Sequence, residues 1–228
     1  MITLPASNAV WVVEPVKQFD RTKSRLDSVL APEARRDLAV AMLSDVLYAL
    51  CGTTGLKGVV VATADVEAAV VAQAQGFEAI GDQEGAGINA AVSNGLANVN
   101  SRRGAVLETR DDIPLVTTRE LGDAIDEVEP TPVVIAPAAR KGGTNLLTLA
   151  RADLFVPAFE RYPAAHHAAN ARVSGTQPAF FPLVGTTRDI DTLKGFVDLR
   201  GIGPECTRVH LACSPITFPA RQVERAAQ

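Results

Sequence analysis

Five short polar stretches carry the side chains best suited to chemistry. The first, VKQFDRTKSRL (Val16–Leu26), sets Lys17 and Arg21 four residues apart and follows them with Lys23, Ser24 and Arg25. Lysine and arginine donate charge-assisted hydrogen bonds to phosphate oxygens, and the Ser24 hydroxyl can add another. From spacing alone a phosphate grip and a solvated basic loop stand about even, because charged loops are common. RDDIPL places Asp111 and Asp112 directly before a proline-fixed turn, and RDIDT supplies Asp189 and Asp191. An extended segment aims the last two to one side. Carboxylates at strand ends suit Mg²⁺, which takes one or two of them together with phosphates and water. Each pair also has a plain structural use, Asp191 as a helix cap and Asp111 as turn chemistry. In GAGIN, Gly85 and Gly87 mark close backbone approach, with Asn89 just after; GGTN adds Gly142, Gly143, Thr144 and Asn145. The latter suits a small carboxylate or phosphate, or a tight turn.

Several familiar chemistries are missing. The basic stretch has neither the G-x-x-x-x-G-K-[ST] spacing of a phosphate-binding P-loop nor a G-x-G-x-x-G fingerprint, and no G-x-S-x-G nucleophile elbow occurs. His166 and His167 are adjacent, so on a helix they point about 100° apart and chelate poorly. They read as surface or helix-packing residues.

These stretches need elements to position them. VWVVEPV (Val10–Val16) is nearly all apolar, as a strand covered on both faces should be. From Pro32 to Leu50, apolar residues recur at Leu38, Met42, Val46 and Leu50, with Leu43 and Leu47 widening the stripe. Pro32 at the first turn and Gly52 after the end complete a helix. Then follow a strand over Gly58–Thr63, a helix over Asp65–Gln75, the short strand FEAI and a helix over Ile88–Val99. Strand Gly104–Thr109, a helix from Thr117 or Thr118 to Glu127, strand Thr131–Pro137 and the strand LLTLA come next. Beyond LLTLA the pattern weakens until a helix over Leu193–Leu199. Repeated strand–helix–strand units predict a mainly parallel sheet with helices on both faces. Ligands collect beyond the carboxyl ends of such strands, which is where the basic stretch, GDQEGAGIN, RDDIP and ARKGGTN all fall.

The whole chain, residues 1–228, suits one domain, with 201–228 as a proline-bearing tail. A net charge of −4 gives no global field to draw nucleic acid, so anion binding must be local. Three cysteines without C-x-x-C spacing argue against a disulfide framework and for a reducing cytoplasm. The opening residues do not read as a signal peptide, and no apolar run approaches the ~20 residues of a membrane span. The expectation is a cytoplasmic protein binding neither nucleic acid nor membrane.

PVKQFDRTKSRL, APEARRDLAVAMLSDVL, GVVVAT, GINAAV, DIPLVT, GGTNLL and DIDT, in this order from about Val10 to Val197, resemble the 2-phospho-L-lactate guanylyltransferase family. That family includes members using phosphoenolpyruvate or 3-phosphoglycerate in making the deazaflavin coenzyme. The resemblance implies a three-layer α/β/α Rossmann-like nucleotidyltransferase fold of the glycosyltransferase-A type. It implies GTP and a small phosphorylated three-carbon acid as substrates, with Mg²⁺ as cofactor. Carried over by position, Lys17, Lys23 and Arg25 hold the GTP phosphates, and Gly87 and Asn89 lie near guanine or ribose. Asp112 is a metal ligand, with Asp189 or Asp191 as the second carboxylate, and Thr144 and Asn145 face the acid.

The chain departs from the family at three places. Asp111, preceded by Arg110, stands where the family has a small residue. APAAR replaces an expected APD, and Glu160, Arg161, Tyr162 and Pro163 replace a glycine- and serine-bearing segment that helps bind the acid. These changes leave the nucleotide half intact and alter the acceptor half. A nucleotidyltransferase with another acceptor or base, such as a cytidylyltransferase, and a weakened nucleotide-binding paralogue are the competing readings. The tail could reach a second subunit, which keeps a homodimer open.

Overall fold

The computed structural model describes residues 10–102, 104–139, 142–187, 190 and 195. Seven strands form one sheet in the order β3-β2-β1-β4-β6-β5-β7. They are β1 (Val10–Val16), β2 (Leu56–Thr63), β3 (Glu78–Gly81), β4 (Ala105–Glu108), β5 (Val133–Pro137), β6 (Thr144–Leu149) and β7 (Ala179–Phe180). Five α-helices join them: α1 (Pro32–Gly52), α2 (Val66–Ala74), α3 (Ile88–Asn100), α4 (Thr118–Asp126) and α5 (Pro163–Val173).

The sheet is covered on both faces because its central strands are apolar on both. Val10, Val12 and Val16 of β1 pack with Leu43, Val46 and Leu47 of α1, Ala68 and Ala72 of α2, and Leu121 and Ile125 of α4. On the other face Val13 meets Val92, Leu96 and Val99 of α3. Further along that face Val133, Ile135 and Leu147 meet Ala164, Ala168 and Ala171 of α5. This is the expected three-layer α/β/α arrangement.

Local chemistry sets the helix starts. Pro32 opens α1 at a position where its missing N–H costs nothing. Asp65 caps α2, its carboxylate accepting from the N–H of Glu67 and Ala68. Thr117 and Glu120 close a reciprocal capping box on α4. Gly87 precedes α3 at φ 84°, a backbone angle that side chains with a Cβ rarely adopt.

Two features differ from the sequence expectation. The LLTLA strand starts earlier, at Thr144, and runs antiparallel to both β4 and β5, inserted between them. The rest of the sheet is parallel, so only this strand is reversed. Hydrophobic periodicity carries no direction, and a six-residue buried strand reads the same either way. Helix α5 and the two-residue β7 fill a region where the pattern weakened. PAAHHAANARV is mostly small and polar residues, so its buried face of Ala164, His167, Ala168 and Ala171 makes no aliphatic stripe. The helix expected at Leu193–Leu199 and the tail lie outside the described residues.

Candidate functional site

The carboxyl ends of β1, β2 and β3 and the start of α3 enclose a cleft with about 610 Å³ of open space. Pro15, Lys17, Arg21, Ala64, Asp82, Gly85, Gly87 and Ile88 are among its lining residues. Crevices beyond the carboxyl ends of the strands are where open α/β sheets hold small ligands. The basic stretch contributes Lys17, Gln18 and Arg21 to its wall and folds into two 3-10 turns, Phe19–Arg21 and Ser24–Leu26. It is anchored from beneath: Phe19 is buried, and its N–H donates to Asp65 Oδ2 at 2.8 Å. Asp65 therefore both caps α2 and ties down the basic stretch. Arg21 reaches Glu84 in the glycine loop, 3.1 Å away, but both side chains are largely exposed, so this pair contributes little stability.

Within the stretch the lysines diverge. Lys17 is exposed at the cleft, as are Ser24 and Arg25 at the surface. Lys23 is buried and sits in the left-handed region at φ 54°, uncommon for a residue with a side chain. Such strain persists where the surroundings over-determine it, often at functional sites. Here the surroundings are Asp112, whose Oδ2 lies 3.6 Å from Lys23 Nζ.

Asp112 follows β4 at the middle of the same edge. Arg110 Nε lies 4.0 Å from its Oδ1, yet that oxygen is buried with no hydrogen-bond partner. Burial opposes ionisation of Asp112, but the charges of Lys23, Arg110 and Lys17 outweigh it and hold the carboxyl below its ordinary value. Asp111 goes the other way, pushed up by burial and then by the Asp112 charge. An ionised carboxylate at a strand end, with one oxygen that no described residue bonds, is a single donor of the kind a divalent ion takes. Lys23 and Arg110 compete for it, and no group of three or more His, Cys, Asp or Glu that could hold a metal occurs among the described residues. The backbone N–H of Ile190 donates to the Asp112 carbonyl at 3.0 Å, and Ile190 packs among Leu26, Leu38 and Met42. Asp189 and Asp191, on either side of Ile190 in sequence, lie outside the described residues.

Because β6 is antiparallel, its first residues return to this edge beside the ends of β4 and β5. The register skips a residue there, Ala136 pairing Leu146 and Pro137 pairing Thr144, which leaves Asn145 as a bulge. Both side chains are buried and engaged. Thr144 Oγ1 is 3.0 Å from His167 Nδ1, and Asn145 Nδ2 donates to the Thr186 carbonyl at 2.6 Å. His167 Nε2 accepts from the N–H of Ala158 at 3.1 Å, so the proton of the neutral ring sits on Nδ1 and points at Thr144. Burial, with a smaller push from His166, lowers His167 to about 4, which keeps it neutral. Asn89 likewise turns to this side: its Oδ1 accepts from the N–H of Phe159 at 2.8 Å, and it is not among the residues lining the cleft. Two side chains from different helices thus clamp the consecutive amides of Ala158 and Phe159.

Sequence reasoning missed two residues beneath the edge. Glu14 in β1 and Glu108 in β4 are fully buried, and neither carboxyl has a hydrogen-bond partner among the described residues. Burial pushes both well above the ordinary carboxylate range, with Asp111 and Glu108 adding to the effect on Glu14 and Arg110 opposing it on Glu108. Val12 and Leu107 share one face while Val13 and Val106 share the other, so alternation puts Glu14 and Glu108 on opposite faces. A lone glutamate inside each apolar strand was the available signal.

This fold, with its cleft and its charged edge, is that of the nucleotidyltransferases. A protein from Desulfovibrio desulfuricans G20 assigned as a nucleotide-diphospho-sugar transferase superposes with a TM-score of 0.73 at 16% identity, covering 96% of this chain and 97% of that one. A nucleotidyl transferase from Methanothermobacter thermautotroptrophicus gives 0.60 at 14% identity, covering 86% and 97%. Identities that low speak for the fold alone. The sequence goes further: residues 10–203 match the family described as guanylyl transferase CofC-like. A phosphoenolpyruvate guanylyltransferase from Geodermatophilus obscurus is 34% identical over 207 residues, covering 87% of this chain and 93% of the relative. One from Sphaerobacter thermophilus is 32% identical over 194 residues, covering 84% and 93%. The chain belongs to the CofC-like guanylyl transferase family and is an enzyme of the nucleotidyltransferase class. No described helix is long and apolar enough to cross a membrane.

Proposed function

We propose that the enzyme joins GMP from GTP to a small phosphorylated three-carbon acid, releasing pyrophosphate, as a step in making a deazaflavin coenzyme. Phosphoenolpyruvate is the favoured acceptor among the three candidates, because it appears in the names of both relatives above. The observation that carries the reading is a glycine-edged cleft lined by Lys17 and Arg21, with a buried, left-handed Lys23 held against Asp112 in the same basic stretch.

In this reading Lys17, Ser24 and Arg25 bind the triphosphate at the cleft wall, and Gly87 lets the base or ribose approach the start of α3. Lys23 turns part of its charge from Asp112 to a phosphate oxygen when nucleotide arrives. The acceptor's phosphate oxygen attacks the α-phosphorus of GTP, the new P–O bond forming as the bond to pyrophosphate breaks. That nucleophile is already an anion, so no strong general base is required, and catalysis is mostly positioning and charge neutralisation. Asp112, together with Asp189 or Asp191, would hold Mg²⁺, which supplies Lewis-acid stabilisation of phosphate charge. Thr144 and Asn145 support the acceptor side, Thr144 with a hydroxyl oriented by His167 and Asn145 by fixing Thr186.

Lys23→Ala and Asp112→Ala should each cut pyrophosphate release from GTP by roughly 10²-fold or more, the scale of losing one preorganised electrostatic group. Near-full activity in either variant contradicts the assigned site.

A further inference from the structure

Arg110 stands out at the edge because its charge balances Asp112 and Glu108 while its donor fork has no assigned partner. Its guanidinium lies over the ring of Phe159, 5.8 Å from the centroid, and its Nε is 4.0 Å from Asp112 Oδ1. That separation is an ion-pair distance and too long for a hydrogen bond. No described residue accepts a hydrogen bond from any of its nitrogens, and the Glu108 carboxyl oxygens are themselves without partners. Unlike those oxygens, the Arg110 nitrogens are not cut off from solvent, so a planar fork of five N–H donors is open to a ligand at the site.

The platform beneath it is rigid. Phe159 packs both against the cluster of Val13, Val92 and Leu96 and against that of Leu147 and Ala164, so it spans the gap between α3 and α5. The N–H of Phe159 is held by Asn89, and that of the preceding Ala158 by His167. His167 is also the partner of Thr144. Arg110 thus sits between Asp112 and the clamped segment, on the β4–β6 side of the nucleotide cleft.

We infer that Arg110 is a specificity-determining residue that binds the carboxylate of the acceptor. The inference rests on the proposed guanylyl transfer. In that reaction the acceptor's phosphate must lie toward Lys23 and Asp112 to reach the α-phosphorus. Its carboxylate, borne in phosphoenolpyruvate by the carbon next to the phosphate-bearing one, then lies a few ångströms from that phosphate, within reach of a guanidinium set between Asp112 and Phe159. A guanidinium fork matches a carboxylate with two parallel hydrogen bonds, and a ring beneath the fork keeps it oriented at low entropic cost. A site built to pair a carboxylate rejects an analogue lacking one, because the fork is then left unpaired.

The test compares wild type, Arg110→Gln and Arg110→Lys with GTP and two acceptors. These are phosphoenolpyruvate and a phosphate monoester of a three-carbon alcohol without a carboxylate. The glutamine variant should raise KM for phosphoenolpyruvate roughly tenfold or more while KM for GTP stays within about twofold. The preference of wild type for the acid over the monoester should shrink by the same factor. Arg110→Lys keeps the charge on the ring but loses the fork, and should give an intermediate acceptor KM; it decides the matter if the glutamine variant does not fold. An unchanged acceptor KM in a folded variant overturns the assignment, as does an equal loss toward acid and monoester, which would make Arg110 a charge balancer for Asp112 only. Failure of wild type to guanylylate any phosphorylated three-carbon acid would instead sink the reaction on which the inference stands.

Discussion

The two halves of the carboxyl edge are built on opposite principles. At the ends of β1, β2 and β3 the protein presents an open cleft, with Lys17 exposed and glycines admitting close approach. At the ends of β4 and β6 it packs Glu108, Asp111, Asp112, Arg110 and Lys23 into a largely buried set with several carboxyl oxygens unpartnered. Glu14 lies beneath both halves. An open cleft binds through groups already satisfied by water and costs the fold little. A buried set of charges costs stability and is worth keeping only if ligands complete it. The difference teaches that the nucleotide half is prepared by shape and the acceptor half by electrostatics.

That comparison can be broken by pH, because the closed half holds carboxyls that burial raises. The largest effect concerns Glu14 and Glu108, raised well above the ordinary carboxylate value in the folded state. The folded state then holds protons that the unfolded chain releases, so their stabilising share is present below the unfolded value and is lost as pH rises. Each carboxyl costs up to about 1.4 kcal/mol per pH unit until its own folded value is reached. Glu14→Gln and Glu108→Gln should therefore raise Tm more at pH 8 than at pH 5. Equal gains at both, or a loss at pH 8, would mean that these carboxyls are not buried as neutral acids.

The next effect has the opposite sign. His167 is depressed from 6.5 to about 4, so the folded state binds fewer protons than the unfolded chain between those values. Stability is fully present above 6.5 and falls as pH drops toward 4, by about 3 kcal/mol in all. His167→Gln should lower stability at pH 7 yet flatten the decline of Tm on the acid side. An unchanged acid slope in the variant would remove His167 as its source.

The smallest effect belongs to the open half. Gly87 holds φ 84° with open space where a Cβ would stand, so alanine there is strained without being crowded. With ψ 174° the backbone there lies in a region that essentially only glycine adopts, at a cost of about 1–3 kcal/mol for other residues. Relief by a shift at the start of α3 predicts about a tenfold higher KM for GTP in Gly87→Ala. A higher KM for the acceptor and none for GTP would reverse the assignment of the two halves.

How much of this was legible depended on what each residue leaves in a linear pattern. β1, α1, β2 and α3 follow from apolar runs and, for α1, from Pro32 at the first turn and Gly52 after the end, and their order implied the layered sheet. The direction of β6 was hidden because alternation is symmetric, and α5 because alanines and histidines bury a face without an aliphatic signature. In the site, Lys17 and Gly87 line the cleft, and Lys23 and Asp112 come together as neighbours. Asn89, Thr144 and Asn145 were read as facing ligands, whereas their described bonds go to Phe159, His167 and Thr186. A polar side chain near a strand end looks the same in sequence whether it meets substrate or braces the loop that does. Glu14 and Glu108 went unread because a strand pattern counts apolar positions and passes over a single acid among them.

The central claim is guanylyl transfer to a phosphorylated three-carbon acid, and mass spectrometry of the products from GTP, Mg²⁺ and each of the three acids tests it most directly. The account predicts a GMP–acid adduct with an equal amount of pyrophosphate, formed best with phosphoenolpyruvate. Pyrophosphate or adduct from none of the three acids, with GTP recovered intact, would contradict it.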